Sequence, residues 1–340
     1  LNNMKYLQMK NFLSLVILIC SAFGQLKAQD TLNVGLTKDL EEVVVTYEAI
    51  LLTPVTFQNI YEKEIQANST GQEPSFFLTA TPSITNYSDA GNSQGYSYFR
   101  LRGIDQTRVN ITLDGMPLNE PEDQGAYFSN YPDLLNSVSR IQIQRGVGTT
   151  KNGVASYAGS IQLFSPNLHD SSKTTVGLGY GSFNSLRAFA EYNSGVKNRK
   201  ALYVRASQIY SDGYKYSSSN NSQSVFVSGG LFYEKSTWKL NLLAGQQRND
   251  MAWLGVSDSL ITTDSRTNAN SEQEKDRFIQ CLAQLQNTWR ISRNSLLQSS
   301  VYYTFLNGNY DFDFNNFLGF PPTEELYNYA FQSNLVGFFS

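Results

Sequence analysis

Leu101-Arg102-Gly103-Ile104-Asp105, then Val109-Asn110-Ile111-Thr112-Leu113-Asp114-Gly115-Met116-Pro117-Leu118-Asn119, then Ile141-Gln142-Ile143-Gln144-Arg145-Gly146-Val147-Gly148 running on to Tyr157-Ala158-Gly159-Ser160-Ile161, decide how this chain folds. Each cluster couples a strand pattern to a glycine turn. Asp114-Gly115 stands between alternating residues, and a two-residue hairpin needs positive φ at both central positions, which Gly accepts without steric cost. Gly103, Gly146, Gly148 and Gly159 also interrupt strand patterns, so bulges or close backbone contacts are expected there.

Outward from these clusters the pattern is mixed. Val55 to Asn59 reads as a strand, Tyr61 to Ala67 as a short helix, and Pro74 sits where the first turn of a second helix tolerates it. Further strands are expected at Ile84 to Tyr87, Tyr96 to Leu101, Val109 to Leu113, Val138 to Arg145 and Tyr157 to Phe164, with a helical turn near Pro132 to Asn136. The result is a small α+β domain over 55–167. Arg100, Arg102, Arg140 and Arg145 lie in its strands; such residues are costly in a dry core and suit either a polar enclosure or open solvent.

In order and spacing the three clusters resemble the plug, or cork, domain of TonB-dependent outer-membrane receptors. That domain carries an LRG-I/F-D segment, an LDG-x-P-L segment and an R-G-rich strand ending in a Y/F-G-G/A-x-I-like turn. The resemblance covers roughly residues 40 to 165. It implies an α+β plug followed by an antiparallel transmembrane β-barrel, with Arg102, Gly103, Asp105, Asp114, Gly115, Pro117, Arg145, Gly146 and Gly159 as its motif positions.

Two segments precede the domain. In residues 1–28, Lys5 and Lys10 stand before the apolar run Phe12 to Cys20, and Gln25-Leu26-Lys27-Ala28 ends on a small residue. The run is about half the ~20 residues that span a bilayer as a helix, so a cleaved export signal is expected rather than an anchor. Lipoprotein processing at Cys20 is disfavoured by the bulk of Ile19. In residues 29–54, Leu40-Glu41-Glu42-Val43-Val44-Val45-Thr46 is a β-branched run without a nearby partner strand, a segment ready to add to another protein's sheet edge. It resembles the TonB box, which makes Glu41, Glu42, Val43, Val44, Val45 and Thr46 the expected contacts for TonB and its inner-membrane energising complex. An ordinary first strand of the plug is the alternative. The stretch from Gln29 to the box is too short for the extra periplasmic domain that some family members carry.

After Asn167 loop length becomes informative. Strands are expected near Thr174 to Tyr180, Leu186 to Asn193, Ala201 to Tyr210, Val225 to Glu234, Trp238 to Gln247, Arg277 to Trp289, Ser295 to Leu306 and Leu326 to Phe338. Val196 to Lys200, Lys235 to Thr237 and Ile291 to Asn294 are short connections, whereas Ser211 to Ser224, Arg248 to Asp276 and Asn307 to Glu325 are long; Gly181 to Ser185 alone is short on the long side. Alternating tight turns and long loops is the outer-membrane barrel pattern, and the strands reach the ~9 to 11 residues a tilted crossing needs. Tyr180, Tyr210, Tyr233, Trp238, Trp289 and Tyr310 near strand ends fit interfacial girdles. A plug of this size needs a lumen of the ~22-stranded class, so residues 168–340 are expected to supply about eight strands of a longer receptor's barrel.

Composition agrees with that class. Only 16 % of residues are charged against 13 % aromatic, yet beyond residue 28 no apolar run is long enough for a membrane helix. A net charge of -3 without a basic patch gives no reason to invoke nucleic acid. The single histidine, His169, excludes a Ser/His/Asp triad or metal site built on a second one, and with Cys20 removed Cys281 has no disulfide partner. Gly146 to Lys151 lacks the GxxxxGK[ST] spacing of a phosphate loop. Asp114, Glu120, Glu122 and Asp123 lie in turns, where solvation and turn hydrogen bonds account for them. No catalytic residues, cofactor or metal are expected.

The resemblance therefore implies an energy-coupled importer in the cell outer membrane, embedded in its lipid, with the N-terminus in the periplasm and an extracellular ligand such as an iron chelate. Ferric siderophores and haem are the commonest cargoes in the family. Candidate ligand contacts are Tyr96, Glu120, Gln124 and Tyr127 from plug loops, and Trp253, Phe312 and Phe317, with Phe314 and Phe320, from barrel loops. A passive porin or adhesin barrel and a soluble secreted β-rich binding protein are the alternatives.

Overall fold

The three clusters fold together in one mixed sheet and its neighbour. In the computed structural model, which describes residues 49, 55–120, 122–146, 156–292, 294–320 and 326–339, the first part contains β1 (Thr56–Tyr61), α1 (Glu62–Asn68), α2 (Pro74–Phe77), β2 (Ile84–Ser88), β3 (Ser97–Leu101) and β4 (Ile104–Asp105). β5 (Val109–Leu113), β6 (Met116–Pro117), β7 (Arg140–Arg145) and β8 (Gly159–Phe164) follow. The five-stranded sheet runs β1-β7-β8-β5-β6, with β5 and β8 parallel; β2, β3 and β4 make a second sheet. Its core is apolar, with Phe99, Leu101, Val109, Ile111, Leu113, Ile141, Ile143 and Ile161 wholly buried.

Two tight turns with glycine in second place shape this part. Asp114 (φ 48°) and Gly115 (φ 82°) close the two-residue hairpin between β5 and β6, and Arg102 (φ 53°) with Gly103 (φ 78°) closes a second between β3 and β4. Gly159 is required for a different reason: a Cβ there would collide with the Gln144 carbonyl of β7 and with Leu101. The expected helix at Tyr61 begins one residue later, because Tyr61 still pairs with Arg140 in β1.

The second part is a single antiparallel sheet in strict sequence order: β9 (Lys173–Gly181), β10 (Ser185–Asn193), β11 (Lys200–Ser211), β12 (Asn220–Phe232), β13 (Ser236–Asp250), β14 (Lys275–Ser292), β15 (Ser295–Phe312) and β16 (Tyr327–Phe339). Two short helices, α3 (Asp258–Thr263) and α4 (Phe314–Phe317), lie in the long connections. Several strands run further than alternation alone indicated. β12 begins at Asn220 rather than Val225, so the loop expected at 211–224 contracts to 212–219, and β15 continues to Phe312, which shortens the connection expected at 307–325. The extensions are polar, and side-chain amides in register hold them together: Gln246 donates to Gln223, and Gln223 to Gln208 at 2.6 Å.

What distinguishes this sheet is which face is dry. Along β13 the buried positions are Thr237, Lys239, Asn241, Gly245, Gln247 and Asn249, interrupted only by Leu243, while Trp238, Leu240, Leu242 and Ala244 alternate with them on the open face. β14 repeats it, with Gln280, Gln284, Gln286 and Thr288 inward and Ile279, Ala283, Leu285 and Trp289 outward. A water-soluble sheet buries its apolar face; this one buries its polar face and exposes Leu178, Val176, Leu240, Val336 and Phe338. No described helix is long and apolar enough to cross a membrane, which leaves strands untouched as a means of crossing.

Candidate functional site

The buried polar face of the sheet meets the first domain through its turns. Asp114, at the tip of the β5–β6 hairpin, is 1 % exposed rather than solvated as its place in a turn had implied. Its carboxylate accepts from Ser165 N (2.9 Å), Ser165 Oγ (2.6 Å) and Asn241 Nδ2 (2.7 Å), and lies 3.3 Å from Lys239 Nζ. Gln286 Nε2 donates to the Asp114 carbonyl at 2.8 Å and Gln284 Nε2 to that of Leu113 at 3.2 Å. Burial works to raise the Asp114 carboxyl, but Lys239 and the bonds from Ser165 and Asn241 outweigh it and hold the group below the ordinary carboxylate range.

A second anchor is Asp133, left-handed at φ 56° just before a 3-10 turn over Leu134–Ser137. Arg187 of β10 donates to its Oδ1 from Nη2 (2.7 Å) and Nε (3.1 Å). Arg205 of β11, wholly buried, donates from Nη1 to the Asp133 carbonyl at 2.9 Å and stands 3.6 Å from Oδ2. Glu73, 7 % exposed, is pushed well above the ordinary carboxylate range, first by burial and then by Asp133. Glu120 is also buried rather than solvated, accepting from Gln280 Nε2 of β14 at 2.7 Å, and burial raises its carboxyl. Between the anchors the backbones nearly touch: a Cβ on Gly245 would collide with the Asn130 carbonyl and sit 2.7 Å from Pro132. Five consecutive strands, β10 to β14, thus hydrogen-bond to the first domain, so the sheet follows its surface.

The arginines expected in a polar enclosure divide. Arg100 and Arg102 are exposed, whereas Arg140 lies 3.8 Å over the Phe164 ring and Arg145 Nη1 reaches the Pro82 carbonyl at 3.5 Å. Asp105 caps a 3-10 turn by accepting from Thr107 N at 3.0 Å, Pro117 pairs with Thr112, and Gly146 N donates to the Ala158 carbonyl at 2.7 Å. His169 packs on the Phe232 ring at 4.5 Å.

At the long-loop end the ligand candidates fall into three groups. Tyr96 lines a narrow cleft between Asp89–Ala90 and Gln94–Gly95 of the first domain and Asn220, Asn249 and Asp250 of the sheet; its hydroxyl accepts from Gln247 Nε2 at 3.0 Å. Glu120, Gln124 and Tyr127 share a tight loop in which Gln124 is left-handed, Asn119 Nδ2 donates to the Gln124 carbonyl at 2.7 Å, and Tyr127 donates to Asp123. Trp253 stacks on Phe312 with centroids 6.1 Å apart, Phe317 lies 6.2 Å from Trp253 and 5.6 Å from Phe312, and Phe314 meets Phe312 at 6.3 Å. Two long connections, 251–274 and 313–326, are thereby joined by aromatic contacts. Among the described residues no group of three or more His, Cys, Asp or Glu could hold a metal, and Cys281 is a free thiol. Residues 1–28, the segment Leu40 to Thr46 and Gly148 lie outside the described residues.

Sequence reasoning found the turns but not their partners. Lys239 and Asn241 fall on the polar phase of β13, whereas nothing local in the sequence marks Arg187, Arg205 or Gln280, whose roles come from tertiary placement.

The TonB-dependent Receptor Plug Domain matches residues 50–160. No curated protein matches the sequence. Among solved structures, the chain is similar to the siderophore receptor PiuA from Acinetobacter baumannii, at 14 % identity and a TM-score of 0.62, covering 77 % of this chain and 38 % of that one. It is similar to the open form of the ferric-catecholate import receptor Fiu from E. coli K12, at 15 % identity and a TM-score of 0.64, over 84 % of this chain and 44 % of that one. The copper transporter OprC matches at 16 % identity and a TM-score of 0.62, over 83 % and 42 %. The chain thus spans about 40 % of the length of these receptors.

Proposed function

We propose, from the premise that residues 50–160 are a TonB-dependent receptor plug domain and that the strands after them fold as the N-terminal part of such a receptor's barrel, that the full-length protein imports a scarce, bulky nutrient across the outer membrane by energy coupling. The family is not enzymatic. The observation that carries the reading is the inverted sheet: its polar face holds the plug through Asp114, Asp133 and Glu120, and its apolar face is left for lipid. A soluble binding protein has no use for such a face, and a passive porin has none for a plug knit to its wall.

In this reading the ligand lodges at the long-loop end, against the cleft at Tyr96, the loop of Glu120, Gln124 and Tyr127, and the aromatic group of Trp253, Phe312 and Phe317. Flat, exposed aromatic surface beside hydrogen-bonding groups suits a chelate with an apolar body and polar donors, and a ferric siderophore or haem is the proposed cargo. TonB pairs with Glu41 to Thr46 and pulls on a plug whose contacts to the wall are largely polar. Such contacts exchange for water at little net cost once wetted, which an apolar interface of the same area does not.

The test is uptake. A deletion strain carrying the full-length receptor without Leu40 to Thr46 is expected to lose growth on the cargo iron source while keeping normal receptor levels in the outer membrane. Uptake that survives the deletion would mean a passive pore.

A further inference from the structure

On the open face of the sheet, toward the long-loop end, Arg248 of β13 and Arg277 of β14 are direct cross-strand partners. Both side chains are exposed, and among the described residues neither guanidinium has an ion pair or hydrogen bond. Like charges opposite one another on a sheet face repel. Asp250, two residues along, does not relieve them, because it is engaged by Lys275 at 3.3 Å. On either side stand amides: Asn221 is the cross-strand partner of Arg248, and Asn309 that of Arg277. The Asn221 carbonyl already accepts from Gln208 (2.9 Å) and Gln223 (3.1 Å), which leaves its NH2 as the free function. The row therefore offers positive charge and donors, an arrangement that fits an anion.

Its height says which anion. Trp238 lies on the same face of β13 near the short-turn end. The strand segment from Trp238 to Arg248 rises about 3.4 Å per residue, and at a tilt of about 40° it climbs about 26 Å, the thickness of a barrel's lipid-facing band. Leu240, Leu242 and Ala244 fill that band, and the hydrogen-bonded row Gln208, Gln223 and Gln246 marks its upper edge. The two guanidinium groups stand just above, at headgroup level.

We propose that Arg248 and Arg277, flanked by Asn221 and Asn309, bind the phosphate of a membrane lipid headgroup in the leaflet on the long-loop side. Arginine forks match phosphate oxygens bidentately. One lipid satisfies both halves of the surface, since its acyl chains run down the apolar residues below while its phosphate separates the two like charges. A free phosphate ion would satisfy only the upper half. The site rests on the barrel reading given above.

Native mass spectrometry of the full-length receptor, extracted from outer membranes and exchanged with phosphatidic acid or with diacylglycerol of the same chains, tests it. The wild type is expected to retain phosphatidic acid over diacylglycerol, and R248Q/R277Q to retain it about thirtyfold less, as the loss of two headgroup-level cations predicts. Millimolar inorganic phosphate is expected not to displace the lipid. Equal retention by a double variant that still shows heat-modifiable migration, or displacement by inorganic phosphate, overturns the site. A wild type without heat-modifiable migration would overturn the barrel reading and the site with it.

Discussion

Asp114 and Glu73 are both buried carboxyls of the plug, and their surroundings push them in opposite directions. Asp114 is held below its ordinary value of about 3.9, so the stability it contributes is present above that value and is lost as pH falls through the lower folded one. Lys239→Met strands this carboxylate in a dry site and is expected to cost about 3–5 kcal/mol, while adding Asp114→Asn to the same chain recovers most of the loss. Urea-dependent protection of the plug from protease measures both. Glu73 is held above its ordinary value of about 4.3, so it costs stability as pH rises from there toward its folded value. Glu73→Gln should therefore raise the urea midpoint of the plug at pH 7 and change it little in acid below the ordinary carboxylate range; a variant no more stable at pH 7 contradicts the assignment.

At the scale of elements, the two-residue hairpin and the eight antiparallel strands were legible because each is specified locally. Asp114-Gly115 announces its own φ values, and alternation along Trp238 to Ala244 announces its own faces. Strand ends were less legible. Asn220 to Ser224 and Asn307 to Phe312 read as loop because Asn, Ser, Gly and Asp dominate them, and they pair as strand only because neighbours across the sheet supply the hydrogen bonds. The plug's partners on the wall were least legible, since Arg187 and Asp133 meet only in the folded chain. Gly245 shows how narrow that meeting is. Gly245→Val puts a branched side chain where the Asn130 carbonyl already sits, so β13 must push the plug away, with an expected loss of about 1–3 kcal/mol. Faster protease cleavage of the plug in the variant checks this, with Gly229→Val as the control, because nothing stands within 4 Å of a Cβ there.

For the whole molecule, the inside-out sheet is the feature on which the proposed transport rests. A polar inner face makes a plug possible, and an apolar outer face makes a membrane necessary. That pairing can be read directly along one strand in the full-length receptor, with Cys281 replaced by Ser and single spin labels placed at Leu240, Leu242, Ala244, Gln246 and Arg248. After reconstitution into lipid vesicles, accessibility to oxygen relative to a water-soluble nickel complex should be greatest near Leu242 and Ala244 and fall toward Arg248. A flat profile, with every position equally open to the nickel complex, would contradict a lipid-embedded wall.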